Sequence, residues 1–215
     1  SANGGAAGDH PVYSSDPDTC RDLVVCAQSA LVRPDELADT VARLLAAWEV
    51  PGERITVVES IPGGDRVVWD RGCDRARVAS GAGGGPGVGG DDDEVGHALA
   101  ALQLHRARFV PFQELWAAGL PARAGQVWVS SRFHPHLFAA ARGASGVALT
   151  SGSAYYDVKH GSLTAAGSAW STVAACAPGA DSRLPGWPTA GGFPPATVAA
   201  LVSAAESLAD EVYPR

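Results

Sequence analysis

The chain has 215 residues, 46% of them hydrophobic and 18% charged, with a formal net charge of −7. That length suits one large α/β domain, or one domain with appendages, and no run of side chains nears the ~18 consecutive apolar residues of a membrane span. Acids and bases are spread rather than blocked, which argues against a general nucleic-acid or anionic-membrane surface while leaving room for a local basic pocket.

Lys159 is the only lysine; arginine supplies every other cation. Richness in Arg, Ala and Gly points to a GC-rich bacterial genome. The cysteines Cys20, Cys26, Cys73 and Cys176 show neither C-x-x-C nor zinc-ligand spacing, so they read as reduced thiols and no metal is expected. No secretion signal is apparent at the start, which leads us to expect a cytoplasmic protein. The absence of methionine leads us to expect a processed or excised piece of a longer one.

In chain order, residues 1–20 are rich in Gly, Ala, Ser, Asp and Pro without an apolar period and read as a linker or weakly ordered lead-in. Five short runs lack a polar face: Leu23 to Ala27, Ile55 to Glu59, Arg108 to Phe112, Gln126 to Ser130 and Gly146 to Thr150. Strands apolar on both faces suit a parallel sheet covered by helices on both sides. Pro34, Asp35 and Glu36 open a helix whose Leu37, Val41, Leu44, Leu45 and Trp48 recur at helical spacing. Further helices are expected from Asp91 to His105, from Pro135 to Arg142 closed by Gly143, and from Pro194 to Val212, the last with a stripe of Val198, Leu201, Val202, Ala205, Leu208 and Val212. Strand and helix in alternation predict a doubly wound, mostly parallel Rossmann-like sheet with helices on both faces. The domain would cover residues 21–188, with the helix of residues 189–215 packing on it.

Gly85, Gly87 and Gly90 formally satisfy G-x-G-x-x-G within GAGGGPGVGG. A proline interrupts the motif, however, and Asp91, Asp92, Asp93 and Glu94 follow it, which would repel a pyrophosphate. The reading is a flexible surface loop at residues 81–90 whose acids cap the next helix. Asp65 in IPGGD reads as a turn residue, with a substrate contact as the alternative. Trp69, Trp116, Trp128, Trp170 and Trp187 read as core or rim packing rather than a sugar platform.

Ligands of open α/β sheets bind at the carboxyl ends of the strands, and two such ends here are polar. After QVWVS come Ser131, Arg132, Phe133, His134 and Pro135. With Pro135 as first helical residue, His134 falls at the N-cap, beside free N–H groups and the planar fork of Arg132, an anion site in outline. After GVALT come Ser151, Ser153, Tyr155, Tyr156, Lys159 and His160. A helix opened by SGS would carry Lys159 about one and a half turns in, within reach of a ligand at the neighbouring strand end.

The stretch VWVSSRFHPHLFAAARGASGVALTSGSAYYDVKHGSL resembles the C-terminal motif of the polysaccharide pyruvyl transferase family. Its S-R-F-H (Ser131 to His134), the A-x-x-x-G of Ala139 to Gly143, and the Y-x-x-K of Tyr156 to Lys159 carry the likeness. VVCAQSALVRPDELADTVARLL and IPGGD extend it to the opening strand and helix. The resemblance implies the C-terminal lobe of a two-domain, glycosyltransferase-B-like enzyme that moves a pyruvyl group from phosphoenolpyruvate to a sugar of a cell-surface polysaccharide. It implies Arg132 binding donor phosphate or carboxylate, His134 as the general acid protonating the enol and Lys159 stabilising donor charge. Ser130, Ser131, Phe133, Ser151, Ser153, Tyr155 and Tyr156 are the candidate substrate contacts. No metal or redox cofactor is implied; the partners are phosphoenolpyruvate, a saccharide acceptor and the absent N-terminal lobe. Two readings compete: a nucleotide-sugar glycosyltransferase lobe, in which the same cations hold a diphosphate, and a non-catalytic Rossmann-like binding domain.

Overall fold

A computed structural model of the chain describes residues 12–28, 33–82, 93–151, 154–175 and 184–212, without the side chains of residues 154–156. Six strands, β1 (Leu23–Cys26), β2 (Ile55–Val58), β3 (Arg108–Val110), β4 (Val127–Ser130), β5 (Ser145–Thr150) and β6 (Ser171–Ala174), pair in parallel in the order β3-β2-β1-β4-β5-β6. This is the doubly wound Rossmann-like arrangement. Strand order reverses between β1 and β4, which creates the crevice where such sheets bind ligands.

The helices are α1 (Pro34–Trp48), α2 (Arg66–Ala79), α3 (Glu94–Ala101), α4 (Phe112–Ala118), α5 (Phe133–Ala141), α6 (Ala154–Ala165) and α7 (Pro195–Val212). Successive strand residues face opposite sides, and each side has its own core. Leu23, Val25, Ile55, Val57, Val127 and Val129 meet Leu37, Val41 and Leu44 of α1, Val68 and Trp69 of α2 and Leu99 of α3. Val24, Cys26, Val58 and Trp128 meet Ala139 and Ala140 of α5, Leu163 of α6, and Trp170. The second layer is built of large rings against small residues. A Cβ on Gly146 would lie 2.6 Å from the Trp128 carbonyl oxygen and 2.8 Å from the Trp170 ring, so only glycine leaves room for the indole against β5.

Several boundaries differ from the sequence reading. The lead-in is not a linker up to residue 20: Tyr13 bridges Leu120, and the Thr56 hydroxyl donates to the Thr19 carbonyl oxygen at 2.7 Å. The helix expected from Asp91 ends at Ala101 and is followed by a separate 3₁₀ turn, Leu104–Arg106. Asp93 caps it by accepting from the Gly96 N–H at 3.0 Å, as the acidic run suggested, while residues 83–92 of the glycine-rich loop lie outside the described residues. Helix α7 forms over nearly its expected span, but none of its side chains is buried and only Val198 packs against the core; Leu201, Val202, Leu208 and Val212 are exposed. Trp69, Trp128 and Trp170 are buried, whereas Trp116 is exposed. Cys20, Cys26 and Cys73 are free thiols, and Cys176 lies outside the described residues. Among the described residues no helix is long and apolar enough to cross a membrane.

Candidate functional site

Gln28 follows β1, Ser60 and Ile61 follow β2, Arg132, Phe133, His134 and Pro135 follow β4, and Lys159 lies on α6; together they line one cleft of 310 Å³. The cleft stands at the carboxyl ends of β1 and β4, the point of strand reversal. Arg132, His134 and Lys159, named from two separate stretches of sequence, therefore share one concavity.

Their roles within it differ from the expectation. Helix α5 begins at Phe133 with Arg132 as its N-cap residue, so Pro135 is the third helical residue and His134 the second. Proline is tolerated there because the first-turn N–H groups have no intrahelical acceptor to lose. His134 is accordingly exposed on the first turn, with its ring edge-on to Phe133 at 5.4 Å. No side chain caps the helix, so its positive end is unscreened by a carboxylate cap.

The Arg132 fork is not held open for a ligand. Its Nε donates to both oxygens of Asp65 at 3.0 Å and its Nη2 to Oδ1 at 2.5 Å. The Asp65 side chain is 1% exposed and that of Arg132 12%. A carboxylate buried this far demands a counter-charge. Asp65 Oδ2 also accepts from the N–H groups of Ser60 and Ile61 and from the Ser60 hydroxyl, at 2.8, 3.1 and 3.0 Å. The turn residue of IPGGD is thus the anchor of a clasp that ties the end of β2 to the end of β4. Glu59 secures the same loop from its other side, accepting from Gly63 N–H at 2.7 Å and Phe112 N–H at 3.2 Å.

Ser130 and Ser131 are buried, and their hydroxyls serve the turn instead of a ligand. Ser130 Oγ accepts from the Arg132 N–H at 3.0 Å and Ser131 Oγ from the Gln28 N–H at 2.7 Å. Phe133 does line the cleft. Ser151 is half-buried just beyond β5; Ser153 and the side chains of Tyr155 and Tyr156 lie outside what the structure describes. Lys159 is the sixth residue of α6 and half-buried, at the depth the sequence suggested.

Behind the β4–α5 turn lies a buried polar chain that sequence reasoning did not pick out. His160 Nε2 is 3.4 Å from the Ser131 carbonyl oxygen, which can only accept, so Nε2 carries the hydrogen and Nδ1 is the acceptor. His136 Nδ1, 3.0 Å away, then donates to it, and His136 Nε2 accepts from the Ser168 hydroxyl at 2.8 Å. Trp170 stacks on His136 with centroids 4.2 Å apart. Burial lowers His136 from 6.5 to about 3, with the His160 ring adding to the effect. Burial also lowers His160, against opposing contributions from the Ser131 carbonyl and Asp157. Both imidazoles are neutral spacers, and the alternation of donor and acceptor satisfies every ring nitrogen.

Among the described residues no group of three or more His, Cys, Asp or Glu side chains is arranged to hold a metal ion. Comparison with family models, curated proteins and solved structures gave no match to this chain.

Proposed function

We propose that the cleft at the β1/β4 reversal binds a small, multiply charged metabolite, and that the ligand is phosphoenolpyruvate, consumed in pyruvyl transfer to a saccharide hydroxyl. The observation that carries this reading is the meeting of Lys159, His134 and the uncapped start of α5 in one concavity. The ammonium and the helix start supply positive potential for a phosphate. Asp65 and Arg132 neutralise each other, so Arg132 acts chiefly by positioning the turn, and Lys159 is the cation of the cleft lining assigned to the ligand. A volume of 310 Å³ sits at the small end of the about 300–1,000 Å³ of metabolite sites, which suits a three-carbon donor better than a nucleotide sugar.

In the proposed reaction His134 gives a proton to the terminal enol carbon of phosphoenolpyruvate, and a saccharide hydroxyl adds to the adjacent carbon and loses its own proton. The His134 imidazole takes that proton back, and a second hydroxyl displaces the phosphate from the same carbon, its proton leaving with the phosphate, to give a cyclic ketal and hydrogen phosphate. Carbon, oxygen and phosphorus balance without an oxidant or reductant. The acceptor side of such a site would come from a further lobe.

Titration calorimetry with phosphoenolpyruvate and, separately, a nucleoside diphosphate tests the assignment. Saturable binding of phosphoenolpyruvate that is lost in Lys159→Ala is the expected result. Preference for the nucleoside diphosphate would transfer the site to the glycosyltransferase reading, and binding of neither would leave a non-catalytic domain.

A further inference from the structure

At the opposite end of the strands, where they begin, a second and larger cavity of 580 Å³ is lined by Ser14, Ser15, Arg21, Arg54, Arg123 and Arg142, with Asp22 and Glu53 as its acids. Four guanidinium groups against two carboxylates is an unusual lining for a chain whose formal charge is −7. Nothing in the cleft chemistry uses it.

Pairing sharpens the imbalance. Arg21 is matched by Asp18 at 2.7 Å and Glu53 by Arg106 at 2.6 Å, so both drop out of the count. Asp22 alone faces both Arg54, at 2.7 Å, and Arg123, at 3.0 Å. Arg142 pairs with no carboxylate among the described residues; its guanidinium lies over the Tyr13 ring, 4.7 Å from the centroid. Three cations therefore share one anion, and two positive charges on the cavity wall are uncompensated.

The donor inventory agrees. Arg54 spends Nε on Asp22, which leaves its two Nη groups without a hydrogen bond among the described residues. Arg123 spends Nε on the Cys20 carbonyl oxygen and Nη2 on Asp22. Planar forks with an unused edge are suited to the oxygens of a phosphate.

We propose that this cavity is a binding site for a phosphomonoester, with Arg54, Arg123 and Arg142 as its cationic wall. A phosphomonoester is close to dianionic near neutral pH, matching the two unpaired charges, whereas a single carboxylate would compensate only one. The site is independent of the β1/β4 cleft: it lies at the other end of the strands and shares no lining residue with it.

The experiment titrates inorganic phosphate into the chain at constant ionic strength, with chloride as the balancing anion, and follows the amide resonances of Cys20, Asp22 and Arg54 together with calorimetric heat. Saturable shifts at these amides are expected. The paired variant Arg54→Gln and Arg142→Gln should weaken phosphate by about tenfold or more, and Asp22→Asn, which removes the competing carboxylate, should tighten it several-fold. Both results should persist in Lys159→Ala, which disables only the cleft. Unsaturable shifts, equal affinity in the paired variant, or weaker binding in Asp22→Asn would each overturn the site. The fold of every variant is checked by its unfolding midpoint, so a misfolded protein is not mistaken for a negative result.

Discussion

Asp65 and Arg132, 67 positions apart in the chain, close a buried ion pair between the loop after β2 and the turn after β4. The pair lies beside the point of strand reversal and fixes the relative placement of two of the cleft's walls. Removing one partner strands the other as a buried charge, a loss of about 3–5 kcal/mol. Asp65→Ala and Arg132→Ala should each be destabilised on that scale, with strong coupling in a double-mutant cycle read by denaturant unfolding. A loss below about 1 kcal/mol, the range of exposed pairs, would show that the clasp is not buried in solution.

The buried histidines make stability depend on pH. Both folded-state values lie below 6.5, so the unfolded chain takes up protons first and stability falls as the solution is acidified. The loss starts as pH drops through 6.5 and continues, for His136, down to about 3. For His136 the slope should approach about 1.4 kcal/mol per pH unit, and His160 adds to it in the same direction. Urea midpoints measured across this window should flatten in His136→Gln relative to the parent; an unchanged slope would remove His136 as the source.

Packing over Gly146 makes a third test. A methyl there meets both the Trp128 carbonyl and the Trp170 ring, an overpacking worth about 1–3 kcal/mol. Gly146→Ala should lower the melting temperature, and the further drop it causes should be smaller when it is introduced into a Trp170→Leu background, where the space above β5 is open.

The Cys26 thiol is pushed up to about 12 by burial, with the Asp65 charge adding to it, and Cys73 to about 11 by burial and the nearby Asp70 and Asp74. Since the thiolate is the nucleophile, Cys26 should resist alkylation by iodoacetamide at mildly alkaline pH until the chain unfolds. Peptide mass spectrometry with and without denaturant reads this out; rapid labelling of native protein would contradict its burial.

If His134 is the acid of the proposed transfer, His134→Asn should leave phosphoenolpyruvate binding within a few-fold of the parent and reduce any pyruvyl-transfer turnover by about 10²–10⁴-fold. Loss of binding and turnover together would instead mark it as a binding group.

What was legible in the chain followed from chemistry local to each stretch. Strands β1, β2, β4 and β5 are buried on both faces, which is why their runs lack a polar partner, and α1 announced itself through Pro34 and its apolar spacing. Edge strand β6 was not legible because only Val173 among its four residues is buried, so it has no apolar run. Helix α2 was hidden by RVVWDRGCDRARVA, in which charged residues outnumber the buried Val68, Trp69 and Ala76. At the site, His134 and Lys159 could be read from their positions after strands. The capture of Arg132 could not, because its partner belongs to another strand's loop and a sequence window does not join them. The acid in IPGGD, placed among small residues just after an apolar run, was the available signal for that partner.

The histidine chain also governs what lies beneath the cleft. From the Ser168 hydroxyl through His136 and His160 to the Ser131 carbonyl, every hydrogen points the same way, so no single link can reverse without reversing its neighbours. The floor under the turn is therefore held by polarity without carrying a formal charge, and its aligned dipoles add to the fields that the rim presents to a ligand.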